Sequence, residues 1–248
     1  MKNLLLVLSL VLFISSCQDK KEEITAQEII DKTIEKSGGA NYKKATIEFK
    51  FREHTYKSVR NGGEYRLERT TVDSTGTFVD VLSNTGFERL RGDSLVKVQD
   101  SMALRIGSSV NSVHYFANLP YGLNDRAVNK QLAGETIIKG EPYYQLKITF
   151  QQDGGGEDHH DEFMYWIHKD NFTVDYLAYK FHGSERGIRF RVVYNPRVIE
   201  GIRFVDYENY SVEDFNIDLR DLGKMYENGA LEFVSNIENE NVQVQIRK

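Results

Sequence analysis

The sequence predicts a mostly β, α+β fold. It is a large curved antiparallel sheet or half-open β-barrel, with an N-terminal helix and a helical insert covering the concave face. Three observations carry this expectation. Apolar and polar residues alternate with a period of two through most of the chain. Flat aromatic side chains are abundant, with 14 Phe and 14 Tyr in 248 residues, and such rings fit a pleated surface. The period lengthens to three or four in only three stretches, which read as helices. Forty per cent apolar content supplies a sizeable core, and three prolines leave little room for disorder beyond the N-terminal segment. The formal charge is −5, and no basic patch is dense enough for nucleic acid, which is excluded as a partner.

Residues 1–16 have the anatomy of an export signal. Lys2 is the positive start, and Leu4 to Ile14 form an apolar run. That run is well short of the roughly 20 residues a membrane-spanning helix needs. It ends in Ile14-Ser15-Ser16-Cys17, which resembles the lipobox of bacterial lipoproteins. Cys17 is the only cysteine, so no disulfide framework competes for it and it is the expected lipid-attachment residue. On this reading the partner is the outer membrane, held through acyl chains. Residues 17–24 are then a charged tether, and residues 25–248 form one domain. An ordinary signal peptide with a chance cysteine is the alternative.

The first helix is announced by Thr25-Ala26-Gln27-Glu28, a capping box, with Ile24 and Ile29 placed as a hydrophobic staple. Its apolar face runs to Ile34, and Gly38-Gly39 stops it. From Thr46, Ile47, Phe49 and Phe51 alternate with charged residues, and Asn61-Gly62-Gly63 predicts a hairpin to Tyr65 and Leu67. Strands follow at 77–84, 87–91 and 95–98, with glycines at their corners. Met102, Ile106, Val110, Val113 and Ala117 then recur at helical spacing, which predicts the insert, and Pro120 ends it. Strands resume at 126–133, 135–139 and 143–150. Phe163–His168 and Val174–His182 predict a hairpin across Asp170-Asn171. A further pair at 188–193 and 201–210 turns near Glu200-Gly201. A short helix is expected at about 219–228 behind Asp218, and strands at 231–237 and 241–246 complete the chain.

This order of elements resembles the localisation-of-lipoproteins fold of LolA and LolB, in which a half-closed barrel wraps a hydrophobic cavity under helices. More specifically, Asn111-Ser-Val-His-Tyr-Phe-Ala117, Gly154–Asp161, Tyr165-Trp166-Ile167, Tyr176-Leu-Ala-Tyr179 and Arg189-Phe-Arg191 resemble the Bacteroidetes lipoprotein family DUF6503. That resemblance brings no established activity, cofactor or catalytic residue, and fold alone does not fix function.

Candidate chemistry gathers around residues 154–167. On a strand, side chains alternate faces, so His159, Asp161, Phe163 and Tyr165 share one face while His160, Glu162, Met164 and Trp166 share the other. Asp158 and Asp161 are expected opposite Arg189 and Arg191, as bidentate pairs. Such pairs also serve simply to fix register. His159 and Asp161 supply two metal ligands, but the spacing matches no zinc motif. Gly154-Gly155-Gly156 lacks the Lys-Ser/Thr ending of a phosphate loop and reads as a turn. No nucleophile elbow is present, and no cofactor is implied. Three functions remain open. The first is a cup binding a hydrophobic or amphipathic ligand, with Asn111, His114, Tyr115, Asp158, His159, Asp161, Tyr165, Trp166, Arg189 and Arg191 as its candidate ligand-binding residues. The second is a filled structural or interaction module of the envelope. The third is a metal-assisted hydrolase at the Asp158–Asp161 loop.

Overall fold

The structure, a computed structural model, describes residues 23–151, 160–182 and 186–247. The export signal, Cys17, most of the tether, Gly154–Gly156, Asp158 and His159 lie outside the described residues.

Helix α1 (Ala26–Ser37) opens the chain as its capping box requires. The Thr25 hydroxyl accepts from the Glu28 amide at 3.2 Å, and the Glu28 carboxylate accepts from the Thr25 amide at 2.8 Å. Two initial donors are thereby satisfied reciprocally, and Gly38 at φ 144° ends the helix.

A meander follows, made of β1 (Ala45–Phe51), β2 (His54–Asn61), β3 (Glu64–Asp73), β4 (Gly76–Ser83), β5 (Gly86–Arg91) and the short β6 (Ser94–Leu95). Helix α2 (Asp100–Ala117) then carries the chain to a second meander of β7 (Val128–Ile138), β8 (Glu141–Phe150), β9 (Glu162–His168), β10 (Val174–His182), β11 (Arg186–Ile199) and β12 (Ile202–Val212). After the short α3 (Leu222–Glu227), β13 (Glu232–Ile237) joins the second sheet beside β12, while β14 (Glu240–Ile246) crosses to the first sheet beside β1. The result is two seven-stranded antiparallel sheets, open rather than closed into one barrel. The mostly β, half-open architecture read from the sequence is therefore the one observed.

Three elements differ from expectation: the strand expected at 95–98 shrinks to Ser94–Leu95, and the other two differ for identifiable reasons. The strands expected at 126–133 and 135–139 are one strand, β7, whose register slips between Leu132 and Gly134. Gly134, at φ 150°, absorbs the extra residue as a β-bulge, so it bends the strand without ending it. The first strand turns at Arg52-Glu53, with Arg52 at φ 54°, although neither residue is a usual turn former.

The centre of the second sheet, around β9, is buried on both faces. Its inner face carries Leu146, Ile148, Phe163, Tyr165, Ile167 and Leu177, packed with Ile29 and Ile30 of α1. Its outer face carries Met164, Trp166, Tyr176 and Phe190, covered by Leu219 and Leu222. That double burial explains the nearly continuous apolar run of β9. Close approach of α3 depends on Gly223, where a methyl group would fall 2.6 Å from Ile138 Cδ1 and 3.2 Å from Trp166 Nε1. A third cluster, with Tyr42, Ile47, Phe49 and Tyr56, seats the first sheet on Ile202 and Phe204.

Candidate functional site

Helix α2 lies between the two sheets, and its sequence supplies a different surface for each. Residues four apart share one helical face. Val110 and His114 are buried towards the first sheet, where Gly107 lies against Leu82 and Phe87. Tyr115 and Phe116 face the second. The stripe expected from Met102 begins later, because Met102 is exposed while Gly107, Val110, His114 and Ala117 are buried.

His114 stands edge-on to Phe49 and Tyr56, with ring centroids 5.8 and 5.6 Å away. Its Nε2 lies 3.1 Å from the Glu68 carbonyl, so Nε2 carries the hydrogen. Burial is the main force depressing its pKa from 6.5 to about 4; the Glu68 carbonyl opposes this and the Arg60 charge adds to it. His114 is thus neutral above that range and acts as a helix-to-sheet anchor. Because its folded pKa is depressed, the unfolded chain takes up the proton first as pH falls. The stability supplied by neutral His114 is complete above pH 6.5 and is lost on descent towards pH 4. That loss amounts to roughly 3 kcal/mol. His114→Gln, which retains a donor for Glu68, is expected to flatten this acid slope in urea midpoints taken across the same range. An unchanged slope would refute the assignment.

On the other side of the helix, the Tyr115 hydroxyl lies 2.6 Å from that of Tyr165. Burial raises both phenols above their ordinary pKa, so both act as neutral hydrogen-bonding groups. Phe116 packs on Tyr179 at 5.3 Å, and the Arg191 guanidinium lies 3.8 Å from the Phe116 ring centroid, a close cation–π contact. Arg191 is 8% exposed and donates from Nη2 to the Tyr179 hydroxyl at 2.9 Å. Among the described residues no carboxylate forms an ion pair with it. Its Nε is buried without a hydrogen-bond partner among the described residues. The Tyr207 phenol beside it is pushed up to about 12, by burial against the opposing charges of Arg191 and Arg203.

Two cavities flank this contact. One, of about 370 Å³, lies between α2 and strands β11 to β13; the other, of about 260 Å³, lies towards Phe150 and Phe181. Ser112, Phe116, Tyr179 and Arg191 border both, so the Phe116–Arg191 contact is their partition. A third cavity of about 550 Å³, bordered by Asn111, His114 and Tyr115, opens at the C-terminal half of α2 towards Arg60 and Asp125.

The structure therefore brings Asn111, Tyr115, Asp161 and Arg191 to one small cavity. Tyr165 lies just behind it, in contact with Tyr115. Arg189 borders the larger cavity, donating to its own Ile188 carbonyl and lying over Phe181. Asp161 accepts from the His182 amide at 3.2 Å, with the His182 ring 3.6 Å away. Arg191, expected opposite Asp161, takes Tyr179 and Phe116 instead. Trp166 is on the opposite face of β9, beneath α3, as strand alternation requires. Asp158, His159 and Cys17 lie outside the described residues. No group of three or more His, Cys, Asp or Glu able to hold a metal occurs among the described residues. Arg52, Tyr207 and Asn209 also border the larger cavity and were not singled out by the sequence. Only the repeated Arg/Tyr/Asn at alternate positions of β11 and β12 hints at the last two.

A sequence comparison with curated proteins finds no match. In structure, the chain is similar to a LolA superfamily protein from Nitrosomonas europaea, with 12% identity and a TM-score of 0.53 over 91% of this chain and 95% of that one. It is also similar to a DUF1329 family protein from Desulfovibrio piger, with 11% identity and a TM-score of 0.49 over 89% and 93%. At 12% identity the likeness to the LolA superfamily protein concerns the fold, which is LolA-like. A family profile matches residues 2–239, and the chain belongs to that family, DUF6503, a family of unknown function.

Proposed function

We propose that this protein is a lipoprotein of the outer membrane, anchored through Cys17, that takes up a hydrophobic or amphipathic ligand in the cleft between α2 and the second sheet. One observation carries the reading. A buried arginine with no carboxylate partner among the described residues forms the shared wall of two cavities, to which Phe51, Phe116, Phe163, Phe181, Tyr179 and Tyr207 contribute rings. Ligand sites combine apolar walls with a few fixed polar groups in this way. The larger cavity's volume of about 370 Å³ falls within the range of roughly 300–1,000 Å³ usual for small-molecule sites.

The packing of Phe150, Phe163 and Tyr115, with centroids 5.6 to 6.2 Å apart, favours a second reading. A middle filled by its own rings suits an interaction module of the cell envelope. Native mass spectrometry distinguishes the two. The full chain carrying Cys17→Ser, purified without detergent, is expected to carry an extractable amphiphile and to rebind one after extraction. A chain that carries none and rebinds none is an interaction module. The anchor itself is tested by radiolabelled palmitate, whose incorporation is expected in the native chain and absent from Cys17→Ser.

A further inference from the structure

We infer that the larger cavity selects an anionic head group, a carboxylate or phosphate monoester borne on a single apolar chain. This rests on the reading of the cleft as an amphiphile site and adds the chemical class of its ligand.

The charge distribution points there first. Arg52, Arg189 and Arg191 border the cavity, and its described lining contains no Asp or Glu. Arg52 is exposed and Arg189 half-buried, whereas Arg191 is more than nine-tenths buried. The positive charge is therefore graded from the mouth to the floor. Opposite charges attract most strongly where water is scarce, so this gradient draws an anion inwards.

The floor shows the same preference at atomic detail. Arg191 and Asn209 are cross-strand partners on β11 and β12, and Ser235 of β13 is the next partner in that row. Same-face alternation directs all three side chains towards the cavity they border. Arg191 spends one donor on Tyr179 and its ring face on Phe116, leaving Nε without a partner among the described residues. A guanidinium presents parallel N–H groups that match two oxygens of a carboxylate or phosphate. The Asn209 Oδ1 is likewise buried without a described partner and can accept from the P–OH of a phosphate monoester monoanion, a donor that an ionised carboxylate lacks. Phe51, Val113 and Ile237 border the same cavity and supply an apolar wall for the chain.

The test compares palmitate, hexadecyl phosphate and hexadecanol, which offer similar chains with charged or neutral heads. Each is titrated against the extracted full chain carrying Cys17→Ser, with the bound fraction read by native mass spectrometry. At least one anionic probe is expected to bind roughly tenfold or more tightly than hexadecanol, and Arg191→Gln to abolish that preference. Preference for palmitate or for the phosphate identifies which source of the anion fits. Trp166, on the far side of the sheet, reports by its emission whether the variant is folded. If Arg191→Gln does not fold, the double variant Arg52→Gln/Arg189→Gln decides, and it is expected to lower the preference several-fold. Equal binding of all three probes, or a preference untouched by these substitutions, overturns the inference while leaving the amphiphile site intact. Binding of none overturns both. Inorganic phosphate bound as tightly as hexadecyl phosphate also rejects a chain-bearing ligand.

Discussion

Asp206→Ala is expected to lower the stability of the fold by about 3 kcal/mol, the low end of what removing one partner of a buried ion pair costs. Asp206 is 3% exposed and collects four donors. Arg197 reaches it through Nη1 and Nη2 at 3.0 and 3.1 Å, Asn195 through Nδ2 at 2.7 Å and Asn239 through its backbone amide at 2.9 Å. These donors come from two irregular places. Asn195, at φ 49°, sits where the β11–β12 register slips, and Asn239 sits where the chain leaves β13 for β14. The carboxylate thus ties the corner at which the second sheet hands the chain to the first. Alanine leaves a buried amide unsatisfied and the Arg197 charge without its partner, although that side chain keeps 24% exposure, which softens the cost. Asp206→Asn preserves the shape and is expected to lose about half as much, since neutral hydrogen bonds are roughly half as strong as charged ones. Urea midpoints measure both, and a midpoint unchanged in Asp206→Ala would remove this corner from the account. Ile237 and Asn239 also border the larger cavity, so amphiphile binding is expected to weaken in the same variant.

This corner also shows where sequence reading ends. Alternation and turn glycines are local, and they revealed the meander strands, the capping box and the α2 insert from neighbours within a few residues. The Arg52-Glu53 turn escaped because a positive φ at Arg52 has no signature in residue type. The separation of β13 from β14 escaped for another reason. Pairing partners about twenty to thirty or about two hundred residues away in sequence are chosen by packing, and nothing in Ile237–Glu240 specifies them.

The site divides along the same line. Alternation correctly separated Phe163 and Tyr165 from Met164 and Trp166. It gave no means of knowing that both faces of β9 are covered, so Trp166 was grouped with the cavity residues although it packs under α3. Arg191 was found from its spacing to Arg189, but its real neighbours, Phe116, Tyr179 and Asn209, depend on helix placement and strand register. Arg52 joins them from the other sheet. A constellation assembled from both sheets and the intervening helix has no linear motif.

Asp80→Ala is expected to have the larger effect, about 4 kcal/mol at neutral pH, because it strands two charges instead of one. Asp80, 1% exposed, lies directly across from Arg69 on β3 and Arg89 on β5. Arg69 Nη2 donates at 2.8 Å, and Arg89 donates through Nε at 2.6 Å and Nη2 at 3.0 Å. Burial pushes the Asp80 carboxyl up, but the hydrogen bonds and charges of Arg89 and Arg69 outweigh it and hold the pKa below the ordinary value. A depressed carboxylate contributes stability that is complete above its unfolded pKa and is lost as pH falls through the folded one. The difference between native chain and Asp80→Ala should therefore hold steady down to about pH 4 and shrink only below it. The His114 contribution, by contrast, is already declining between pH 6.5 and 4, so acid titration of the two variants separates the anchors. Their roles are linked, since Arg69 also donates from Nη1 to Ser109 of α2 at 3.2 Å. Asp80 thus orients the arginine that holds the middle of the helix, while His114 holds its final turn. If α2 is the wall that must yield for an amphiphile to enter, Asp80→Ala should accelerate probe uptake in the fraction that remains folded. Unaltered uptake kinetics beside a large stability loss would show that the ligand enters from the β13 side without moving the helix.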